Sequence, residues 1–265
     1  MNSELLFVCG FPGGGTDLIK TILNAHPDVY LNGEMPWLQD IVDYGYQRNT
    51  VFTDLTGIHD FLTLLDGLDI WGNIENLDVD FSGFLDTHKG ISLSKVMRRS
   101  FTSREVKIWG NKTPQNTENI SQLAELFPKA RFLIVTRDVR DVCLSWKNKW
   151  GKSMLWCAGK WTQRMAAGWK ASRNLNSERT LLIKFEKLLS DPEQVCRQIC
   201  RFLEIPFSSR MLEHQKYTPE ILDGKRNYGE PIKSENTQKW RDRLSKKMTT
   251  RIEEIAFPTL ELLEY

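Results

Sequence analysis

The sequence predicts an α/β fold, in which helices flank a central, mostly parallel β-sheet. Short, continuous apolar segments recur along the chain, and such segments are typical of strands buried on both faces of a sheet. Segments with helical spacing of apolar residues alternate with them, which favours parallel connections. The chain has 265 residues, of which 40% are hydrophobic, so it can form one substantial core. A single domain covering residues 1–265 is therefore expected.

Four segments have the composition of buried strands. They are LLFVCG (5–10), VKIWG (106–110), RFLIVTR (131–137) and TLLIKF (180–185). Helical spacing follows the first three, over residues 16–25, 117–127 and about 139–150. A further helix is expected to begin with Ser190 or Asp191 as its N-cap and Pro192 in its first turn. The tail from Lys246 has an amphipathic helical pattern.

Charge is distributed unevenly along the chain. Residues 34–90 contain eleven Asp and Glu against two basic residues, a net charge of −9, whereas the remainder carries +11. This acidic segment also contains aromatic and aliphatic residues that need burial, so residues 35–105 are expected to form a helical, acidic insertion. The positive remainder suits an anionic ligand of nucleotide size. No dedicated nucleic-acid motif is present, and no nucleic-acid partner is expected.

The cysteines do not have the spacing of a disulfide framework or a metal site. There are five, at positions 9, 143, 157, 196 and 200, with no C-x-x-C pair and no nearby His to complete a metal set. Buried free thiols in a reducing compartment, and no bound metal, are expected. No apolar run approaches membrane-spanning length, and the first strand begins by Leu5. The prediction is a cytoplasmic protein without a membrane partner; the oligomeric state is left open.

A glycine-rich turn, GFPGGGTD (10–17), connects the first strand to the first helix. Backbone N–H groups at such a turn bind phosphate well, because the positive end of the helix dipole adds to them. The glycine spacing matches the P-loop, but Thr16 and Asp17 stand where that motif requires Lys and Ser or Thr. A P-loop kinase or triphosphatase is therefore disfavoured. A structural turn without a ligand is the alternative.

A second phosphate site is predicted after the strand RFLIVTR. Arg137 ends that strand, and Ser145 lies eight residues further on, two turns into the following helix. An Arg at a strand end can hold phosphate with two N–H groups, and a hydroxyl on the helix can bind the same group. A surface Arg and an unrelated helix Ser are the alternative reading.

Five segments together resemble the sulfotransferases that use 3′-phosphoadenosine 5′-phosphosulfate (PAPS). GFPGGGTDLIKTILNAHPDVYLNGE resembles their 5′-phosphosulfate loop and RFLIVTRDVRDVCLSW their 3′-phosphate motif. LLIKFEKLLSDPEQVCRQICRFLEIPF resembles the segment beside the adenine, TQKWRDRLS the last cofactor loop, and NKTP (111–114) a further motif. The order is the same, and the similarity is to soluble, bacterial-type members and to the protein-tyrosine and carbohydrate branches. It implies the P-loop-like sulfotransferase fold.

The resemblance implies a cofactor site without metal, for PAPS and its product adenosine 3′,5′-bisphosphate (PAP). The backbone at the turn would hold the 5′-phosphosulfate, through Gly13, Gly14, Gly15 and Thr16, with Asp17 beside it. Arg137 and Ser145 would hold the 3′-phosphate, and Lys149 would add charge there. Phe185 stands where the family often has an adenine-side Tyr. Lys239 and Trp240 match the closing loop.

The sequence departs from the family pattern at the turn. The family has Arg or Lys after the Pro, where this chain has Gly13, and a hydroxyl residue at the position of Asp17. The missing cation normally offsets charge on the leaving phosphate. Either Lys112 or Lys20 supplies that charge, or the chain binds the nucleotide with little transfer. A working enzyme is the favoured interpretation.

The resemblance also implies the groups that would act on the acceptor. Glu34 aligns with a catalytic Glu of the protein-tyrosine branch, and Lys112 could interact with the bridging oxygen. His59 and His88 are alternative bases, because other branches use His. Trp37 is expected on the acceptor side. The resemblance places the acidic insertion, residues 35–105, on the acceptor side, and its charge favours a small cationic acceptor, such as a guanidinium-bearing natural product. Transfer to a carbohydrate or peptide hydroxyl, or a PAP-binding pseudoenzyme, remains the alternative.

Overall fold

The computed structural model describes residues 4–69, 72–86, 88–217, 231–232 and 234–265. Its strands, in chain order, are β1 (Glu4–Cys9), β2 (Val29–Asn32), β3 (Val51–Phe52), β4 (Ile91–Ser92), β5 (Ile108–Lys112), β6 (Arg131–Thr136) and β7 (Thr180–Lys184). Five of them form a parallel sheet in the order β2-β5-β1-β6-β7, and β3 pairs with β4 in a separate antiparallel pair. The predicted fold class is confirmed.

Ten α-helices connect and flank these strands in the described part of the chain. They are α1 (Thr16–Asn24), α2 (Leu55–Leu68), α3 (Leu93–Phe101), α4 (Ile120–Leu126), α5 (Val139–Trp150), α6 (Met154–Asn174), α7 (Phe185–Ser190), α8 (Pro192–Phe202), α9 (Trp240–Arg243) and α10 (Lys246–Leu262). Asp191 caps α8, since its carboxylate accepts from the N–H of Gln194 at 3.3 Å. The predicted α1, α4, α5, α8 and α10 are confirmed.

The core has two apolar layers, one on each face of the sheet. Phe7 and Phe132 point to one face, and Val8 and Leu133 to the other, all with no exposed surface. This alternation along β1 and β6 explains why their sequences are continuously apolar. It also holds the two strands at fixed positions in the middle of the sheet.

The acidic insertion contributes to one of these layers. A 3₁₀ helix (Leu38–Val42), α2 and α3 lie within residues 35–105, and Phe61, Leu65 and Val96 join the same apolar layer as Phe7. Most of the Asp residues in the insertion are exposed. The prediction of a helical, acidic insertion is confirmed, with the short β3–β4 pair as an addition.

The sheet topology creates a crevice at one edge. The strand β1 pairs with β5 on one side and with β6 on the other, so the chain changes direction around β1. In open parallel sheets, ligands bind outside the carboxyl ends of the strands at such a point. Gly10, Lys112 and Arg137 all lie at or just beyond these carboxyl ends.

Candidate active site

A cleft of about 840 Å³ lies at the carboxyl edge of the sheet. Its wall contains most of the predicted site residues: Gly13, Gly15, Thr16, Asp17, Glu34, Arg137, Ser145, Lys149, Phe185 and Lys239. They come from sequence segments as far apart as Gly13 and Lys239, more than two hundred residues from each other. The alternation of strands and helices places them together, because every parallel strand ends at the same edge.

The glycine turn has a backbone geometry that side chains disfavour. Gly13 and Gly15 have φ of +83° and +95°, and Gly15 caps α1. A Cβ atom on Gly15 would lie 2.1 Å from the ring of Phe185. Gly14 donates its N–H to the carbonyl of Phe11 at 2.8 Å, so this amide closes the turn and does not point freely into the cleft. Of the four backbone positions predicted to hold the phosphosulfate, Gly13, Gly15 and Thr16 line the cleft and Gly14 does not.

Two side chains from other elements hold the turn in place. The Thr117 hydroxyl accepts from the N–H of Gly10 at 2.6 Å and lies 2.8 Å from its carbonyl oxygen. The indole N–H of Trp146 donates to the carbonyl of Pro12 at 2.6 Å. Both side chains are at least 92% buried. The turn is thus fixed to α5 and to the segment after β5.

Lys112, at the end of β5, forms an ion pair with the turn's carboxylate, Asp17. Its ammonium lies 2.6 Å from the carboxylate of Asp17 and also forms a short ion pair with Glu34. Only 3% of the Lys112 side chain is exposed. Asp17 therefore points toward Lys112. Lys20, one turn along α1, is not among the described residues that line the cleft.

A hydrogen bond to its backbone carbonyl holds Glu34 in position. The Asn73 side chain donates to the Glu34 carbonyl at 3.0 Å, and the Asn32 amide donates to the carbonyl of Asn73 at 2.7 Å. Gly33 leaves room for this contact, since a Cβ there would overlap the Asn73 side chain. The insertion thus fixes the position of the candidate base.

Arg137 lies on the opposite side of the turn from Lys112. It donates to the carbonyls of Gly13 at 3.1 Å and Asn236 at 2.7 Å, and its guanidinium lies 4.7 Å above the ring of Phe185. Burial lowers the pKa of Arg137, and the nearby Asp141 carboxylate opposes that shift. Ser145 and Lys149, on α5, line the same wall.

A segment before α9 completes this wall. The Asp141 carboxylate accepts from the N–H groups of Gln238 at 2.7 Å and Trp240 at 3.0 Å. Burial raises the pKa of Asp141, against the effect of Arg137 and of the two backbone hydrogen bonds. Lys239, between the two donors, donates to the side chain of Asn236 at 2.6 Å and lines the cleft.

Several predicted site residues lie elsewhere. Trp37 is 8% exposed and packs in the apolar core, because it precedes the 3₁₀ helix that turns into the insertion. The Trp240 ring packs against Arg140 and Arg241 and does not line the cleft. His59, on α2, and His88 are exposed and do not line it either. Their exposed positions argue against both histidines as bases.

Sequence reasoning did not assign Lys152, Arg243 or Asp141 to the site. Lys152 and Arg243 add two cations to the cleft wall. Lys152 follows Gly151, whose φ of +64° ends α5 and turns the chain back. Lys152 follows Lys147 and Lys149 closely, and this cluster of basic residues in the sequence could have indicated its role. No sequence pattern indicates Asp141, because a carboxylate on a helix predicts no particular partner.

Residues 6–209 match the family model described as "Sulfotransferase family". The chain belongs to the sulfotransferase family. Over 222 residues it is 23% identical to the protein-tyrosine sulfotransferase of Drosophila melanogaster. That alignment covers 80% of this chain and 40% of the fly protein, so the chain spans less than half of that relative's length.

Two solved sulfotransferase structures share the fold. The sulfotransferase domain of the Synechococcus PCC 7002 olefin synthase superposes with a TM-score of 0.67 at 17% identity, covering 100% of this chain and 96% of that one. Mouse sulfotransferase SULT7A1, which was solved in complex with PAP, gives a TM-score of 0.55 at 13% identity, covering 99% and 89%. At these levels of identity, the two superpositions show a shared fold.

The sulfotransferase family uses PAPS, and two observations on this chain fit such a ligand. Arg137 has a buried Nε atom without a hydrogen-bond partner among the described residues. Gly15 lines the cleft with its backbone, and a Cβ atom at this position would overlap the ring of Phe185. In the described ranges there is no group of three or more metal-ligating side chains, and no helix is long and apolar enough to cross a bilayer.

Proposed function

We propose that this sulfotransferase-family protein transfers the sulfuryl group of PAPS to a hydroxyl or amine of a small cationic acceptor. One observation carries the proposal. A single cleft joins a glycine turn at a helix N-terminus, a buried Arg with an unpaired N–H, and the carboxylate of Glu34, which pairs with the buried Lys112 behind it. Two adjacent anion-binding regions in one cleft, the turn and the wall that contains Arg137, suit a nucleotide with phosphates on both its 5′ and 3′ positions.

The cofactor would be held by residues from both sides of the turn. The backbone at Gly13, Gly15 and Thr16 would bind the 5′-phosphosulfate, aided by the dipole of α1. Arg137, Ser145 and the ammonium groups of the same wall would bind the 3′-phosphate. These ammonium groups belong to Lys149, Lys152 and Lys239. The ring of Phe185 would border the nucleotide.

The transfer requires little covalent chemistry from the protein. PAPS supplies a sulfuryl group attached to a phosphate, which serves as the leaving group. Glu34 lines the cleft and would accept the proton of the acceptor, and its fixed backbone keeps the carboxylate in place. Lys112 would stabilise negative charge on the leaving oxygen. Positioning and electrostatics then account for most of the rate enhancement.

The acceptor is proposed to be cationic because two carboxylates, those of Asp17 and Glu34, line the cleft beside the turn. Residues 34–90 also carry a net charge of −9, although among their described members only Glu34 lines the cleft. A guanidinium-bearing natural product fits this charge, and its planar N–H groups can bind a carboxylate with two hydrogen bonds. The similarity to a protein-tyrosine sulfotransferase makes a peptide hydroxyl the competing acceptor.

The second candidate function is binding of PAP with little transfer activity. The ion pairs of Lys112 with Asp17 and Glu34 favour it, since they occupy the groups that the reaction would need. It predicts nucleotide binding without turnover. Calorimetry together with a turnover assay separates the two functions.

The test begins with calorimetric titration of PAP, and of ATP with Mg²⁺, into the wild type, Arg137→Ala and Arg201→Ala. Arg201 is an exposed residue of α8 and serves as the matched control. We expect PAP to bind the wild type and Arg201→Ala, and Arg137→Ala to lose about 10- to 100-fold in affinity. Equal loss in both variants, or a preference for ATP, contradicts the proposed cofactor. Formation of labelled sulfate esters or sulfamates from labelled PAPS, with a panel of hydroxyl and amine acceptors, then tests transfer.

A further inference from the structure

We propose that the cation of the acceptor takes the place of Lys112 on Asp17 and thereby frees Lys112 for catalysis. The inference rests on the proposed function and extends it by assigning Asp17 as the residue that selects a cationic acceptor. The acceptor class is then an ammonium or guanidinium compound whose nucleophilic oxygen or nitrogen lies within a few bonds of the charge.

The first step concerns which groups face the cleft. The side chains of Asp17 and Glu34 are 25% and 32% exposed, whereas that of Lys112 is 3% exposed. Both carboxylates line the cleft, and Lys112 is not among the described lining residues. Lys112 therefore lies behind the two carboxylates, and a molecule that reaches this part of the cleft meets their oxygen atoms before the ammonium.

The second step concerns charge. One ammonium contacts two carboxylates, so the three groups together carry a net charge of −1. Apart from Asp17, the turn (residues 10–17) contains no ionisable side chain. A phosphosulfate bound at the turn adds further negative charge next to Asp17. A cation that arrives through the cleft relieves this repulsion, and the partly buried setting strengthens the attraction.

The third step concerns the reaction. As long as Lys112 is paired with both carboxylates, it is only partly available to the leaving oxygen, and Glu34 is only partly available as a base. A guanidinium or ammonium on Asp17 satisfies that carboxylate through charge-assisted hydrogen bonds. Lys112 can then move its charge toward the leaving group, where transition-state charge develops.

The transfer balances without any further reactant. The acceptor oxygen or nitrogen forms a bond to the sulfur of PAPS, and the bond from that sulfur to the bridging oxygen breaks. The electron pair of the broken bond remains on the phosphate oxygen, which Lys112 stabilises, and PAP is the product. The proton of the acceptor passes to the carboxylate of Glu34.

The experiment measures binding of methylguanidinium, with N-methylurea as its neutral counterpart, to free and PAP-saturated protein by NMR titration. Asp17→Asn removes the charge with little change of shape. Asp28→Asn is the matched control, since Asp28 is 28% exposed and pairs with Lys107 outside the cleft. We expect methylguanidinium to bind the wild type more tightly when PAP is present, and Asp17→Asn to lose roughly tenfold in affinity.

Three results would overturn the inference: N-methylurea binding as tightly as methylguanidinium, equal binding by Asp17→Asn, or weaker binding of the cation when PAP is present. Because coupling between two ligands is reciprocal, methylguanidinium must also tighten PAP by the same factor. Failure of PAP to bind any variant contradicts the proposed function instead. The titration of the free protein then still tests whether Asp17 holds the cation.

Discussion

Arg137 donates a hydrogen bond of 3.1 Å to the carbonyl oxygen of Gly13, across 124 residues of sequence. This bond joins the end of β6 to the glycine turn, so the two proposed phosphate sites share one residue. Arg137 also holds the carbonyl of Asn236 at 2.7 Å. Three separate segments therefore meet at one guanidinium, and a change in any of them is expected to affect nucleotide binding.

Gly15→Ala is expected to destabilise the protein and weaken PAP binding. The new Cβ would lie 2.1 Å from the ring of Phe185, and the residue has a φ of +95°. Overpacking and backbone strain together are expected to cost about 1–3 kcal/mol in the free energy of unfolding. Urea unfolding and calorimetry with PAP measure both effects. Gly159 lies within α6, and a Cβ atom there would meet no atom within 4 Å. Gly159→Ala is therefore expected to leave PAP binding unchanged and to stabilise the protein slightly.

Glu34→Gln is expected to reduce turnover and leave PAP affinity unchanged. The amide keeps the shape of the side chain but cannot accept the acceptor's proton, so kcat should fall by about 10²- to 10⁴-fold. Single-turnover transfer from labelled PAPS gives the rate of the chemical step. Glu125→Gln, on the exposed surface of α4, is the control. A normal rate for Glu34→Gln would exclude this carboxylate as the base.

Asp141→Asn is expected to reduce the preference for nucleotides that carry a 3′-phosphate. The Asp141 carboxylate accepts from two backbone N–H groups that flank Lys239, and an amide can offer only one oxygen to them. The segment with Lys239 should then dock less well over the cleft. The ratio of the affinities for PAP and for adenosine 5′-monophosphate is the measurement. Asp242→Asn, which is exposed on α9, should keep the wild-type ratio.

Stability is expected to depend on pH through His214, which has no exposed surface. Burial lowers the pKa of His214, so the unfolded chain takes up a proton at higher pH than the folded protein does. Stability should therefore be lost as pH falls from the ordinary His pKa toward the lowered one, by at most about 1.4 kcal/mol per pH unit.

Urea unfolding between neutral and mildly acidic pH tests this expectation. His214→Gln should flatten the pH dependence even if it lowers stability at every pH. His59→Gln, at an exposed position of α2, should keep the wild-type slope. An unchanged slope in His214→Gln would show that other groups cause the acid sensitivity.

The elements that were predicted correctly are those whose burial dictates their composition. β1 and β6 are covered on both faces, so Phe7, Val8 and Leu133 had to be apolar, and the sequence indicates this directly. β2 was missed because it has only four residues and lies at the edge of the sheet, where Tyr30 is only partly buried. α6 was missed because polar and charged residues interrupt its apolar pattern over 21 residues.

The site was predictable as far as its residues belong to contiguous motifs. The turn, Arg137, Ser145 and Phe185 lie in three such motifs and meet in the cleft. The orientation of Asp17 toward Lys112 depends on the parallel pairing of β1 with β5, which sequence spacing does not reveal. Trp37 was misplaced for a related reason. A large aromatic residue near a site has the same composition signal whether it borders a ligand or fills the core.

The bond from the Trp146 indole to the Pro12 carbonyl has a consequence for isomer selection. Trp146 follows Ser145 on α5, so the same helix that would bind the 3′-phosphate also holds the 5′ turn at a set separation. Because α5 sets the distance between the two phosphate sites, a ligand must carry its two phosphates at a matching distance. If one phosphate is moved from the 3′ to the 2′ position of the ribose, the ligand should no longer be able to bind both sites at once. We expect adenosine 2′,5′-bisphosphate to compete poorly with its 3′,5′ isomer.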